Sequence, residues 1–136
     1  MSKLANELKQ EHLVITYILD ELQKMGTSST KCMDLLIRCE KLLLAHLKKE
    51  DEQLYPPLYK KAQSDLYLKK TLNTFGAEME KITEFVFGFY QKYSDVDDIK
   101  TTEFRKDKLT FIVTLKNRIM KEEVAIYKAY ENLKLD

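Results

Sequence analysis

The sequence predicts an all-α fold, an up-down-up-down antiparallel four-helix bundle with residues 1–136 as a single domain, and three observations support that prediction. Apolar residues recur in alternating steps of three and four through four long segments, the period of one helix face. Only 3 Gly and 2 Pro interrupt the chain, far too few for a loop-rich β protein. The breaks between segments are short, which makes successive helices antiparallel neighbours.

The first helix begins after Ser2, carries Leu4, Leu8, His12, Ile15, Leu19 and Leu22 on one stripe, and stops at Gly26. The second starts near Ser29-Thr30, either of which can cap it, and carries Cys32, Leu35, Cys39, Leu42, His46, Glu50 and Leu54. Pro56-Pro57 should end or kink it, because proline lacks the N–H and clashes with the preceding turn. The third starts at Ser64-Asp65 and presents Leu68, Leu72, Phe75, Met79, Ile82, Val86 and Phe89, until Ser94-Asp95-Val96-Asp97-Asp98 breaks it. The fourth runs from about Thr102 with Phe104, Phe111, Leu115, Arg118, Glu122, Ala125, Ala129 and Leu133 inward.

Composition narrows the class. Hydrophobic residues at 44% and charged residues at 33% fit a folded, water-facing domain, neither disordered nor membranous. The balance of 23 basic against 22 acidic residues leaves no basic face for phosphates, so nucleic acid is not an expected partner. The N-terminus carries charges where a signal peptide needs an apolar run, and the longest apolar stretch, Leu42 to Ala45, cannot span a bilayer. Cys32 and Cys39 are two helical turns apart, roughly 10 Å, too far for a disulfide within one helix. They read as reduced thiols in a cytoplasmic protein.

The two halves of the chain echo each other. Glu11-His12 in the first helix corresponds to Glu78-Met79 in the third, and His46–x–x–x–Glu50 in the second to Arg118–x–x–x–Glu122 in the fourth. Leu54-Tyr55 and Ile126-Tyr127 follow at matching distances, as a duplicated helix pair would give.

Polar residues on core stripes are the informative feature. His12, His46, Glu50, Arg118 and Glu122 all fall on them, and the two histidines are the only ones in the chain. Buried carboxylates cost several kcal/mol each unless a cation compensates. His46 and Glu50 share a helix face one turn apart, and imidazole with carboxylate suits iron, manganese or zinc. Arg118 offers the other solution, a buried ion-pair cluster without metal.

Together these residues resemble the hemerythrin-like (HHE cation-binding) family across nearly the whole chain. Glu11-His12, His46–x–x–x–Glu50 with Leu54-Tyr55-Pro56, Glu78-Met79, and Arg118–x–x–x–Glu122-Glu123 carry the resemblance. It implies a four-helix bundle holding two bridged irons, used for oxygen binding, for iron or oxygen sensing, or in redox and nitrosative stress. Carried across, His12 and His46 would be terminal ligands of one metal, with Glu50 and Glu122 bridging. Met79 and Arg118 stand where the family places the histidines of the second metal. Arginine offers no lone pair, and methionine is soft for a hard oxygen-bridged centre. The expectation is therefore at most one ion per chain, iron or else zinc or manganese, or no ion at all. A sensing or stress role follows from the first outcome. The second gives a metal-free regulatory or protein-interaction module in which Arg118 replaces the lost cation. An oxidoreductase ranks last, because two-electron oxygen chemistry wants both irons. The remaining tyrosines, Tyr17, Tyr55, Tyr59, Tyr127 and Tyr130, read as packing residues with hydroxyls near the surface, one of which could contact the site.

Overall fold

The structure is a computed structural model that describes residues 2–25 and 30–135. Among these the regular elements are all helical: α1 (Lys3–Lys24), α2 (Thr30–Lys49), α3 (Tyr55–Ala62), α4 (Leu66–Lys92), α5 (Thr102–Lys121) and α6 (Lys128–Glu131). Two π-helical segments, Glu50–Leu54 and Glu122–Tyr127, join α2 to α3 and α5 to α6. The six pieces make four long helices. α1 lies against α2 and α5, and α4 against α5 and α3, closing the expected antiparallel bundle.

The caps follow local chemistry. Ser2 Oγ accepts from the Ala5 N–H, Asp65 from the Leu68 N–H, and Thr101 from the Phe104 N–H, each at 3.1 Å. Thr30 is already the first residue of α2; the expected stop at Gly26 and a cap at Ser29 lie outside the described residues. The buried Lys108 ammonium donates to the carbonyls of Leu22 (2.9 Å) and Met25 (2.7 Å), closing the C-terminal end of α1 from across the bundle. Cys32 and Cys39 are buried and free of disulfide, and burial pushes the Cys39 thiol up to about 11.

Three sequence expectations need correction. Of the two outcomes expected at Pro56-Pro57, an end or a kink, the end does not occur: the helix runs on through the π-segment to Ala62. The preceding π-turn closes through Tyr55 N–H to Glu50 O, so the prolines fall in the first turn of α3, where no intrahelical donor is required of them. In the fourth helix the buried positions after Glu122 are Ile126, Tyr127 and Tyr130, not Ala125, Ala129 and Leu133. A π-turn inserts one residue, so the core stripe moves on by one. In α4 only Leu68, Leu72 and Phe89 are fully buried; Phe75, Met79, Ile82 and Val86 are partly buried, with Phe75, Ile82 and Val86 packed against the core. The middle of α4 stands off from α2, leaving a groove beside Leu44, Leu47, Tyr55 and Phe87.

The core is split in two. One apolar cluster, including Ile15, Leu19, Cys39, Phe104 and Phe111, fills one end of the bundle, and a second, including Leu8, Leu54, Leu58, Leu72 and Tyr127, fills the other. A layer of buried polar residues separates them: His12, His46, Glu50, Arg118 and Glu122.

Candidate metal centre

His12 comes from α1, His46 from the end of α2, and Glu50 and Glu122 each open a π-segment. All four are buried, and one ligating atom from each lies within 4.8 Å of all the others. The His12 and His46 ring centroids are 4.5 Å apart, so the two histidines stand at one level of the bundle as expected. Met79 and Arg118 line the same small cavity, about 70 Å³, that borders these four residues.

Each imidazole is held from behind. His46 Nδ1 is 2.8 Å from Glu11 Oε1, and His12 Nδ1 is 2.8 Å from Glu123 Oε2. A carboxylate on Nδ1 makes that nitrogen the N–H donor and turns the Nε2 lone pair toward the cluster, the arrangement that orients metal-ligating histidines. The supports cross between helices: Glu11 adjoins His12 but holds His46, while Glu123 adjoins Glu122 but holds His12. Lys49 anchors Glu11 at 3.0 Å and Glu7 at 3.0 Å.

The sequence left open which tyrosine contacts the site, and Tyr127 stands at its centre. The Tyr127 hydroxyl is 2.7 Å from Glu50 Oε2, 3.1 Å from Glu122 Oε1, 3.1 Å from His12 Nε2 and 3.2 Å from His46 Nε2. It is not near the surface; the whole residue is 0% exposed. In an α-helix a residue five positions beyond Glu122 would point about 140° away from it. The π-turn winds more slowly and brings Tyr127 round to the same side. Tyr55 stands in the same relation to Glu50, and its hydroxyl donates to Glu122 Oε2 at 3.4 Å. The only signal available in the sequence was the repeated tyrosine five residues after each inward glutamate.

The other half of the layer is different in kind. Arg118 is 5% exposed, and none of its three side-chain nitrogens makes a hydrogen bond. Its guanidinium lies 3.8 Å from Glu122 Oε2 and 3.8 Å from Glu78 Oε2, and over the Phe75 ring at 4.5 Å. Arg118 therefore pairs with Glu122, not Glu50, and by charge without a hydrogen bond. Glu78 relates to Arg118 as Glu11 relates to His46, so the supporting carboxylate persists where the histidine is replaced.

Protonation reflects the crowding of carboxylates. Burial opposes the imidazolium of His46, but hydrogen bonds to Glu122 and Glu50 overcome it and raise its pKa from 6.5 to about 10. Burial likewise raises Glu50, so that it holds a proton more readily than an ordinary glutamate. Glu122 is driven the opposite way; burial is outweighed by its contacts with His12 and His46, and its carboxyl is held well below the usual range. Because the His46 pKa is higher folded than unfolded, the stability it contributes is full below about 6.5 and is lost as pH rises through about 10. The metal-free protein should accordingly weaken across that window by a few kcal/mol, at about 1.4 kcal/mol per pKa unit. Urea unfolding of wild type and of His46→Gln at neutral and alkaline pH checks this; equal slopes would show that His46 is not the group responsible.

The residues fit a single ion. Two imidazole nitrogens with fixed lone pairs and two carboxylates converge on one point, a set suited to iron, zinc or manganese. The Met79 and Arg118 side offers no nitrogen lone pair and already holds a fixed positive charge. Among the described residues no helix is long and apolar enough to cross a membrane. The chain matches the hemerythrin HHE cation-binding domain over residues 3–130. No curated protein and no solved structure matches it significantly.

Proposed function

The chain belongs to the hemerythrin HHE cation-binding family, and on that premise we propose that it is a cytoplasmic single-domain protein holding one iron at His12, His46, Glu50 and Glu122. The observation that supports this reading is the meeting of four lone-pair donors from three helices, each histidine oriented by its own carboxylate. Bound there, the ion would supply Lewis acidity and one-electron redox chemistry. The protein's part is to fix the imidazole tautomers through Glu11 and Glu123 and to keep water out with the two apolar clusters. Arg118 and Met79 in place of the second ligand set argue against a bridged pair of irons, and so against oxygen carriage. Sensing of iron or oxygen, or a stress response, is the role that a single buried ion suits.

Elemental analysis of freshly purified protein, with an optical spectrum, tests the reading. The expected result is one transition ion per chain, lost in His46→Ala. Two irons with the absorption of an oxo-bridged pair would overturn the single-ion assignment.

A second reading has its own support. Tyr127, protonated His46 and Arg118 together can satisfy Glu50 and Glu122 without any ion, as in a metal-free regulatory or interaction module. Protein that stays metal-free after anaerobic reconstitution with ferrous iron, zinc or manganese would decide for it.

A further inference from the structure

Resting on the metal reading above, we propose that the Tyr127 phenol oxygen is a fifth ligand, and that the site thereby takes ferric iron in preference to a divalent ion. Four ligating atoms, Glu50 Oε2, Glu122 Oε1, His12 Nε2 and His46 Nε2, surround this hydroxyl at 2.7–3.2 Å. A phenol has one proton and can satisfy one acceptor at a time. The shortest contact assigns it to Glu50. The ligating atoms converge on one point, two of them carboxylate oxygens, which is where a cation belongs.

The phenol cannot leave when an ion enters. Its ring lies nearly parallel to the His12 ring, 11° apart in plane with centroids at 5.1 Å, and the residue is wholly enclosed. It belongs to the apolar cluster with Leu8, Leu54 and Ile126, so swinging it outward would open that end of the core. An ion engaging all four neighbours therefore meets the phenol oxygen within bonding reach. On coordination the O–H bond breaks, the oxygen pair forms the bond to the metal, and that proton leaves to solvent together with the Nε2 proton that His46 carries in the metal-free protein. No electron changes hands if the iron arrives as ferric.

Charge sets the preference. Two carboxylates and a phenolate, all hard oxygen anions, balance a trivalent ion in a site of low polarity. Around that set Arg118 is shared between Glu122 and Glu78, Lys49 lies against Glu11, and Glu123 adds a further carboxylate behind His12. With one arginine shared between two carboxylates and Glu123 adding to the negative charge, a divalent ion would leave the site more negative than a trivalent one.

Metal-free protein would be loaded with a ferric citrate solution or with zinc chloride, and metal content measured before any spectrum. Ferric protein should show the broad visible charge-transfer band of a metal-bound phenolate, and resonance Raman ring modes that shift when the protein carries ring-deuterated tyrosine. That labelling needs no variant, so it holds even if Tyr127→Phe folds poorly. In Tyr127→Phe the band should vanish while iron stays at one per chain. Loss of a residue that only supports a ligand lowers affinity by roughly 10–100-fold. Ferric affinity should therefore fall by at least about tenfold in Tyr127→Phe, with zinc affinity changing far less. Tyr55→Phe should keep the band. Bound ferric iron without a phenolate band would overturn the proposal, as would a band that survives in Tyr127→Phe or is lost only in Tyr55→Phe. Zinc binding without ferric binding would overturn it and leave the metal reading standing, whereas binding of neither would remove both.

Discussion

Glu122→Gln should abolish metal retention and destabilise the metal-free protein by about 3–5 kcal/mol, the usual effect of removing one partner from a buried charge cluster. Glu122 meets both halves of the polar layer. Its Oε1 faces His12 at 3.2 Å and Tyr127 at 3.1 Å, and its Oε2 faces Tyr55 at 3.4 Å and Arg118 at 3.8 Å. Glutamine keeps the shape and removes the charge, so packing loss does not confuse the result. It leaves Arg118 and the His46 imidazolium buried with one carboxylate fewer. In a chain of this length the melting temperature should fall on the order of 10 °C. Because the Glu122 pKa is depressed in the fold, its contribution is present above the ordinary glutamate value of 4.5 and lost as pH falls below it. The gap between wild type and variant should thus be widest near neutral pH and close in acid. A loss under about 1 kcal/mol, the range of exposed ion pairs, would mean that the layer is solvated after all.

Arg118→Ala should cost about 3 kcal/mol in the metal-free protein, near the lower end for a broken buried pair. The end of the range follows from the geometry: Arg118 makes two ion pairs at 3.8 Å without a hydrogen bond, and Glu78 is half-exposed. Stacking over Phe75 adds its share at 4.5 Å. An ion bound to Glu122 should shield the loss, and chelator should restore it. Arg118→His supplies an imidazole beside a carboxylate already placed to orient it, Glu78, and should raise the metal content or affinity. Unfolding of Arg118→Ala with and without chelator, together with metal analysis of Arg118→His, makes the test. Negligible losses in both conditions and no gain of metal would show that Arg118 does not stand in for a cation.

The bundle could be read from the sequence because its signal is additive: four long stripes, each of several residues, agree with one another and with short breaks. The four candidate ligands could be read for a related reason, since a histidine or glutamate on an apolar stripe is conspicuous. Tyr127 could not. Helical periodicity of 3.6 places it off the stripe, and nothing local in Glu122–Tyr127 announces a π-turn, whose extra residue is tolerated because tertiary contacts hold it. The same assumption put Ala125 and Ala129 on the fully buried stripe, where they are only partly buried. Periodicity also marks Phe75, Met79, Ile82 and Val86 as core residues. It cannot say that a groove beside α2 leaves them only partly buried. Glu11 and Glu123 were visible as parts of motifs, but their crossed roles depend on which helices are neighbours, and that information is tertiary.

The crossed supports make ion capture a property of the assembled fold and of no single helix. His46 is aimed only when α1 delivers Glu11, His12 only when the fourth helix delivers Glu123, and that helix also delivers Glu122. An unfolded or half-docked chain presents the same residues without their alignment. An ion that binds only the native state then acts as a thermodynamic clamp on the whole bundle, adding about 2.7 kcal/mol of stability at a free concentration one hundred times its dissociation constant. The surrounding ion concentration would thereby set how long the folded chain survives proteolysis.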